Sequence, residues 1–445
     1  MSKFIINGGK KLQGTYYVSG AKNAAPKLLI ASLLTKQPCV FNNIPRISDT
    51  FRSIDALTAL GAKVRFLNKS SVEISCDSLF SHEIIKEAMN ARQAVLFIGA
   101  LLARFGKVRI SSPRGDAIGH RPLNRHLDGI LALGGKINPL ADEENGIYEI
   151  TLPRRPRSTV YRFSKNTHCG TENMILASVF NKGTVTLENA AEEPEVDNLI
   201  ETLNDMGAKI KRTAFRVIVI SGVEPFLQGA QATSIPDRLE IATAIIASIL
   251  TGGKIKVAQA PKKLVLPFIK FLEEIGVKLS WRGNLCSVQS FSLPLKTTTV
   301  TTDWEPGFMT DWQPLATLIL AVFSKGKSMI HERIYETRWK FLGELEKMGL
   351  RYQTFQPTGF TQKDYNFNDD DYQDNEPHAA YVWGPSKLKP AEVQAHDVRG
   401  GIDLILAALT INGKVIINDP QNHIDRGYDD LVLKLKKLGA DITRL

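Results

Sequence analysis

The chain repeats one pattern of hydrophobic and polar positions six times. Each copy contains an amphipathic stretch that ends in a glycine and is followed by alternating apolar and polar residues. The six glycines are Gly61, Gly134, Gly207, Gly276, Gly349 and Gly439. Successive copies lie 69 to 73 residues apart, except the last pair, which lies 90 apart. The pattern predicts an amphipathic helix, a left-handed glycine cap and a strand in every copy.

A second shared phrase precedes each glycine: an apolar helix, a short break and a strand rich in β-branched residues. LLIASLLTKQPCVFNNI (28–44) is the first copy and LILAALTINGKVIINDP (404–420) the last. A helix that is apolar nearly all round is buried, so we expect helices inside and sheets around them. Since single cores stop growing near about 250–300 residues, the six units predict an α/β (α+β) protein of two three-unit domains.

The longer last interval reflects extra residues at about 353–387, which include FNDDDYQDNEPH at 367–378. This stretch lacks the glycine and the terminal glutamate of a calcium-binding loop. We therefore predict an acidic, solvated insertion, with a metal or partner site as the alternative.

Composition and charge narrow the class of protein. The 445 residues include 56 Lys+Arg and 46 Asp+Glu, giving a net charge of +10, and 43% are hydrophobic. These values exclude a disordered or fibrous chain. The longest uncharged apolar run, 94–103, is too short to span a bilayer, and the N-terminus has no signal-peptide pattern. We expect a soluble, cytoplasmic protein with a preference for anionic ligands.

Other partner classes find little support in the sequence. The basic residues are spread through the chain without interleaved aromatic residues, so nucleic acid is not a favoured partner. The four cysteines form no CxxC pair, which argues against both a disulfide framework and a zinc site. No GxGxxG, HExxH or complete phosphate-binding loop occurs. We therefore predict no cofactor, no metal and no membrane partner.

Polar or charged residues begin the apolar helix of each repeat. They are Lys22-Asn23, Arg92, Thr171-Glu172-Asn173, Asp237-Arg238, Asp311 and Arg399. If the repeats are pseudo-symmetric, six helix N-termini point toward one region, which suits a phosphate or carboxylate ligand. Thr171 and Asp237 are equally well explained as helix caps. Cations at helix starts are disfavoured unless an anion compensates them, so Lys22, Arg92 and Arg399 favour an anionic substrate.

Seven phrases resemble those of the enolpyruvyl transferases and occur in that family's order. They are SGAKNA (19–24), DAIGHRP (116–122), EEPE (192–195), PDRLE (236–240), TD (310–311), DVR (397–399) and HIDRGY (423–428). The resemblance covers the whole chain except the insertion. It implies the family's inside-out α/β barrel, with the active site in the cleft between two domains. The first domain is expected at 22–235, with a mobile catalytic loop at about 111–122, and the second at 1–21 plus 236–445.

The resemblance also implies a reaction. The best match is to family members that transfer the enolpyruvyl group of phosphoenolpyruvate to the 3′-hydroxyl of UDP-N-acetylglucosamine and release phosphate, the first committed step of peptidoglycan synthesis. One alternative is a related transferase that acts on shikimate 3-phosphate or another nucleotide. The other is a non-catalytic or nucleic-acid-end-binding paralogue. Lys22-Asn23 and HIDRGY favour the first reaction over a shikimate enzyme, and retention of Asp311 with the anion-binding cations argues against a non-catalytic protein.

By matching position, the resemblance implies roles for the catalytic residues. Asp116 would protonate the methylene carbon of phosphoenolpyruvate, and Asp311 would accept the proton of the sugar hydroxyl. The expected phosphate ligands are Lys22, Arg121 and Arg426. Arg399, with Arg92 as a further candidate, would bind the carboxylate or support that cluster.

The resemblance also implies residues that bind the acceptor. Asn23 would orient the sugar, and Ile334 and Arg338 would line its side of the site. The expected contacts of the uridine diphosphate are Arg121, Pro122, Lys165 and Thr167, with the backbone around 167–170.

Two positions depart from the family pattern. Asp116 replaces the usual loop cysteine, which is the proton donor and the target of fosfomycin. A carboxylic acid can donate a proton when desolvation raises its pKa, so we expect an active enzyme that is insensitive to fosfomycin. Thr167-His168-Cys169-Gly170 replaces the usual Ser-Val-Gly-Ala stretch at the diphosphate, which makes the acceptor less certain than phosphoenolpyruvate.

Overall fold

The computed structural model describes residues 2–84, 92–111, 123–139, 147–153, 157–368, 371–373 and 375–445. In these ranges the helices are α1 (Ala25–Ala31), α2 (Ser48–Ala59), α3 (Phe97–Phe105), α4 (Asn124–Ala132), α5 (His168–Ser178), α6 (Pro194–Asp205), α7 (Arg238–Leu250), α8 (Leu266–Glu274), α9 (Gln313–Phe323), α10 (Lys340–Lys347), α11 (Val398–Thr410) and α12 (Leu431–Lys437). Within the described ranges, no helix is long and apolar enough to cross a membrane.

The strands are β1 (Ser2–Asn7), β2 (Gln13–Tyr17), β3 (Cys39–Asn42), β4 (Lys63–Phe66), β5 (Val72–Ser75), β6 (Lys107–Ser111), β7 (Lys136–Pro139), β8 (Ile147–Thr151), β9 (Thr159–Arg162), β10 (Thr184–Glu188), β11 (Lys209–Ala214), β12 (Val217–Ser221), β13 (Gln231–Thr233), β14 (Lys254–Ala258), β15 (Lys278–Arg282), β16 (Leu285–Ser290), β17 (Thr299–Thr301), β18 (Gly326–His331), β19 (Arg351–Phe355), β20 (Ala379–Gly384), β21 (Glu392–Gln394), β22 (Lys414–Asp419) and β23 (Asp441–Arg444).

The chain divides into two compact units. One comprises the described residues between 20 and 235, and the other residues 2–19 with the described residues of 236–445. Strands β1 and β2 therefore belong with the C-terminal half of the chain: β1 lies between β22 and β23, and β2 pairs with β14.

Each unit contains three sheets within its described residues. The sheets of the 20–235 unit have the orders β13-β3-β5-β4, β6-β8-β7 and β11-β12-β10-β9. Those of the other unit have the orders β15-β16-β14-β2, β17-β18-β20-β19 and β21-β22-β1-β23. In five sheets, the strand that follows the buried helix has one parallel and one antiparallel neighbour, as β10 has in β9 and β12. No sheet in the described ranges closes into a barrel.

The apolar helix of each repeat is buried, as its composition predicted. All thirteen residues of α7 are buried, and in α11 only the last residue is not. Each is followed by a strand of the same repeat, for example β14 after α7 and β22 after α11. The six-fold sequence pattern thus corresponds to six helix-and-sheet units.

The glycine caps are confirmed. All six repeat glycines have left-handed φ angles, between 86° and 105°. At Gly207, which follows α6, an added Cβ would meet no atom within 4 Å, so backbone conformation rather than space favours glycine there.

The prediction that the 353–387 stretch is solvated is wrong for three of its ring-bearing residues. We call Phe360, Tyr365, Phe367, Tyr372 and His378 the aromatic cluster. Tyr365, Phe367 and His378 are buried, and the Tyr365 ring centre lies 5.6 Å from that of His331 on β18. The aromatic residues between the acidic ones build a small core against a sheet, because their buried area outweighs the local polarity. No group of residues that could hold a metal occurs in the described part of the chain.

Candidate active site

Asp311 lies in a short 3₁₀ helix, Thr310–Trp312, that leads directly into α9. Its Oδ1 lies 2.8 Å from Arg338 Nη2, and its Oδ2 lies 3.2 Å from Arg399 Nε. The Asp311 side chain is 19% exposed, whereas those of Arg338 and Arg399 are only 2% and 6% exposed. Two buried cations therefore stabilise the ionised carboxylate, which remains accessible from solvent. We call Thr310, Asp311, Arg338 and Arg399 the Asp311 cluster.

Arg399 is the second residue of α11, whose N-cap is Asp397. The Asp397 carboxylate accepts hydrogen bonds from Arg399 N at 2.8 Å and Gly400 N at 3.0 Å. Burial by itself lowers the pKa of the Arg399 guanidinium, but the Asp311 carboxylate together with Tyr428 and Asp237 outweighs burial and raises it. The Nη1 of Arg399 is buried without a hydrogen-bond partner among the described residues. An anion that reached this nitrogen would satisfy a donor that the described residues leave unpaired.

The HIDRGY segment lies next to Arg399. The Asp419 carboxylate accepts hydrogen bonds from His423 N at 2.7 Å and Ile424 N at 3.0 Å, which fixes the start of this segment. The Tyr428 ring centre lies 5.6 Å from the Arg399 guanidinium carbon, within range of a cation–π contact. Arg426, in the short helix Ile424–Arg426, is buried.

In the 20–235 unit, Lys22 lies just before α1 and pairs with a buried acid. Its Nζ is 2.9 Å from Asp49 Oδ2, and Arg52 Nη1 is 3.0 Å from Asp49 Oδ1. Asn23, the next residue, is half-buried. Lys22 and Arg399, which the sequence marked as unusual at helix starts, thus each have a compensating carboxylate from the protein itself.

A second group of polar side chains connects α1 to the start of α5. It consists of Lys27 on α1 and His168 and Glu172 on α5, and we call it the Lys27 cluster. Lys27 Nζ donates to Glu172 Oε1 at 2.6 Å and lies 2.6 Å from His168 Nε2. Lys27 and Glu172 are fully buried, whereas the His168 side chain is 22% exposed. The buried ion pair between Lys27 and Glu172 therefore fixes the position of the partly exposed imidazole.

The remaining predicted residues fall in three groups. Thr167 is the N-cap of α5 and accepts a hydrogen bond from Gly170 N at 3.2 Å, and Lys165 is half-buried two residues earlier. Ile334 donates its backbone N–H to Glu332 at 2.9 Å. Asp116, Arg121 and Pro122 lie outside the described residues, as does the side chain of Arg92.

The sequence predicted helix caps at Thr171 and Asp237, and the structure confirms the cap at Asp237. Asp237 caps α7 by accepting hydrogen bonds from Leu239 N and Glu240 N at 2.7 and 3.2 Å. Thr171 lies inside α5, where its hydroxyl accepts from Ala191 N at 3.0 Å. It is buried and ties the helix to the chain after β10.

The sequence reading missed several polar residues that the structure places beside the predicted ones, among them Lys27, Asp49 and Glu332. A signal existed for Lys27, a lone cation in the otherwise apolar run of α1. Glu332 directly follows the mixed strand β18, so its burial left no signal in the sequence, although a buried carboxylate needs donors close by. Asp49 offered no such signal, because its partner Lys22 is distant in sequence.

Known proteins match this sequence along nearly its whole length. Residues 6–435 match the family model of EPSP synthase (3-phosphoshikimate 1-carboxyvinyltransferase). UDP-N-acetylglucosamine 1-carboxyvinyltransferase of Acinetobacter baylyi is 34% identical, with 100% of both chains covered. UDP-N-acetylglucosamine 1-carboxyvinyltransferase 1 of Symbiobacterium thermophilum is 37% identical, with 100% of this chain and 95% of the relative covered.

Solved structures show the same fold. The enolpyruvyl transferase NikO from Streptomyces tendae has a TM-score of 0.85 at 23% identity, covering 100% of this chain and 98% of its own. EPSP synthase from Acinetobacter baumannii has a TM-score of 0.71 at 15% identity, covering 100% of both chains. The predicted fold class is therefore confirmed, although the described sheets are separate rather than joined in a closed barrel.

Proposed function

The chain belongs to the EPSP synthase family of enolpyruvyl transferases, and from this premise we propose that it transfers the enolpyruvyl group of phosphoenolpyruvate to the 3′-hydroxyl of UDP-N-acetylglucosamine. Phosphate is the second product, and the reaction commits the sugar nucleotide to peptidoglycan synthesis. Relatives that carry this activity in their names match the chain from end to end. We further propose that the reaction takes place in the cytoplasm, since both substrates are highly charged metabolites.

The observation that carries the proposal is the contact between Asp311 and Arg399. A partly exposed carboxylate lies 3.2 Å from a buried guanidinium that has an unsatisfied Nη1 donor among the described residues. The carboxylate can accept a proton from an alcohol, and the guanidinium can bind an anion next to it. An enolpyruvyl transfer to a sugar hydroxyl needs both groups.

The proposed reaction has two stages. In the first, Asp116 gives a proton to the methylene carbon of phosphoenolpyruvate, and the sugar oxygen bonds to the adjacent carbon as Asp311 takes the hydroxyl proton. In the second, the methyl group returns a proton to the Asp116 carboxylate and the carbon–oxygen bond to phosphate breaks, which restores the double bond. The departing phosphate takes up the proton that Asp311 held. Charge on the substrate is greatest at its phosphate and carboxylate, so fixed cations stabilise it throughout.

We assign the remaining predicted residues to binding. Lys22, Arg121 and Arg426 bind the phosphate of phosphoenolpyruvate, and Arg399 and Arg92 bind its carboxylate. The acceptor is held by the other predicted contacts, which are Asn23, Pro122, Lys165, Thr167, Ile334 and Arg338, together with Arg121.

A transferase with another acceptor is the second candidate. The Lys27 cluster favours it, because His168 stands in the stretch that differs from the family pattern and its imidazole is held by a buried ion pair. Such a group can select a different acceptor without changing the chemistry at Asp311.

Phosphate release separates the two candidates. The purified protein is incubated with phosphoenolpyruvate and, in parallel, UDP-N-acetylglucosamine, shikimate 3-phosphate or UMP. The proposal expects release with the first acceptor only. Turnover with another acceptor alone favours the second candidate, and no release with any acceptor contradicts both.

Asp311→Asn tests the role of the base. The amide cannot take up the hydroxyl proton, so turnover is expected to fall by a factor on the order of 10² or more while both substrates still bind. The matched control is Asp197→Asn, which alters a carboxylate 2.6 Å from Arg212 Nε, outside the cluster. Undiminished turnover in Asp311→Asn would remove this residue from the mechanism.

A further inference from the structure

Glu332 is a fully buried carboxylate that none of the proposed steps uses. It directly follows β18, and 0% of its surface is exposed. Its Oε1 accepts hydrogen bonds from Ile334 N at 2.9 Å and Tyr335 N at 3.1 Å. Its Oε2 accepts from the Thr310 hydroxyl at 2.9 Å. These three donors all point at the carboxylate, which favours its ionised form.

The Thr310 hydroxyl connects Glu332 to Arg338. A hydroxyl has one proton, and Thr310 gives it to Glu332. Its lone pairs are left as acceptors, and Arg338 Nη1 donates to Thr310 Oγ1 at 2.9 Å. Because the Glu332 carboxylate accepts the Thr310 proton, the Thr310 oxygen presents a lone pair, rather than a proton, to Arg338.

Arg338 completes the connection to Asp311. While Nη1 of its guanidinium contacts Thr310, Nη2 of the same planar group lies 2.8 Å from Asp311 Oδ1. Two contacts on one rigid plane fix the orientation of the guanidinium, and with it the position of the Asp311 carboxylate. Glu332 also holds the main chain of Ile334 and Tyr335, a few residues before Arg338.

We propose that Glu332 is a positioning residue for Asp311 and acts through the Thr310 hydroxyl and the Arg338 guanidinium. The inference rests on the proposed function, because it requires Asp311 to be the base. Burial raises the pKa of Glu332, and the Arg338 cation opposes that rise, so the two side chains also depend on each other electrostatically. Glu332 itself touches no reacting atom.

A double-mutant cycle of Glu332→Gln and Thr310→Val tests the connection. Glutamine keeps the size of Glu332, but its amide can donate a hydrogen bond to the Thr310 oxygen. The hydroxyl proton then points toward Arg338 Nη1, which is itself a donor, so the hydrogen bond between Thr310 and Arg338 is lost. Valine removes the hydroxyl while keeping the shape. Each single change is expected to lower kcat by a factor on the order of ten or more, with little change in KM for either substrate, because displacement by about 1 Å is costly.

The double variant decides whether Glu332 acts through Thr310. Without the Thr310 hydroxyl, the introduced glutamine can no longer act on Arg338 through it, so the double variant should have a kcat close to that of Thr310→Val alone. Thr310→Ser, which restores a hydroxyl, should recover most of the lost kcat. The matched control is Thr317→Val, which removes a buried hydroxyl that donates to Gln313 O at 2.8 Å; its kcat should stay at the wild-type value.

Different measurements contradict the positioning role of Glu332 and the proposed function. Losses that multiply in the double variant, or a loss of thermal stability with unchanged kcat, would show that Glu332 is only structural. A wild-type protein that turns over a different acceptor contradicts the proposed substrate and leaves this cycle to be measured with that acceptor. A wild-type protein without turnover on any acceptor overturns the proposed function and the positioning role with it.

Discussion

At the residue scale, several buried cations in the described part of the chain each contact a carboxylate. Lys22 has Asp49, Lys27 has Glu172, and Arg338 and Arg399 share Asp311. Because a buried charge without a partner is costly, each of these carboxylates is a condition for keeping its cation in place.

Asp116 leads to a prediction about inhibition. An epoxide such as fosfomycin needs a nucleophilic thiolate, and a carboxylate is a far weaker nucleophile toward it. Preincubation with fosfomycin and UDP-N-acetylglucosamine should therefore leave phosphate release unchanged over time. Asp116→Cys should become inactivated under the same conditions. Time-dependent loss of activity in the wild-type protein would contradict the prediction.

The residues that the sequence identified are those that stand out locally. Lys22 and Arg399 are cations at the starts of apolar helices, a visible conflict with the helix dipole. Glu332 and Asp49 could not be identified in this way, because their importance lies in contacts with Thr310 and Lys22, 22 and 27 residues away in sequence. A pattern of hydrophobicity does not record which distant side chains meet.

At the scale of elements, the repeat glycines give a test with an internal control. Gly207 has a φ of 100° and open space around a Cβ, so Gly207→Ala should lower the free energy of unfolding by about 1 kcal/mol through backbone strain alone. Gly343 also has open space but lies within α10. Gly343→Ala should instead raise the free energy of unfolding by about 0.5 kcal/mol. Urea unfolding measures both, and equal effects would contradict the role of φ.

The aromatic cluster shows where a sequence pattern misled. Asp and Asn dominate the 367–378 stretch in number, but His378 within it and Tyr365 just before it are buried, and their ring centres lie 4.7 Å apart. His331 adds a hydrogen-bonding contact of 3.1 Å from Nε2 to the Tyr365 hydroxyl. Composition averaged over the stretch concealed the few residues that decide its structure.

This cluster predicts a loss of stability in acid. Burial lowers the pKa of both His331 and His378 to about 4. The unfolded chain has a histidine pKa near 6.5 and therefore binds more protons between these values, so stability is complete above pH 6.5 and is lost as the pH falls toward 4. His378→Phe should reduce the difference in unfolding free energy between pH 8 and pH 5 by about 2 kcal/mol. An unchanged difference would contradict this origin.

At the scale of the whole molecule, the sequence predicted the repeats but not all of their partners. The helix, glycine and strand of each unit are close together in sequence, and local periodicity identifies them. The strand β1, however, pairs with β22 and β23, more than 400 residues away, and β2 completes the sheet of β14. Only the resemblance to a family, and not the pattern itself, assigned the first residues to the C-terminal half of the chain.

Ligand binding should be visible in the stability of the whole protein, independently of turnover. A ligand that binds only the native state at about 100 times its Kd stabilises it by about 2.7 kcal/mol. UDP-N-acetylglucosamine should therefore raise the thermal midpoint of both the wild-type protein and Asp311→Asn, because the substitution removes a base and leaves the acceptor contacts in place. Shikimate 3-phosphate at the same concentration should produce no shift.

Because two compact units each have three sheets of their own in the described residues, unfolding can occur in more than one step, and each transition is compared separately. A shift with shikimate 3-phosphate but none with UDP-N-acetylglucosamine would identify a different acceptor, and it would do so even if no product were formed.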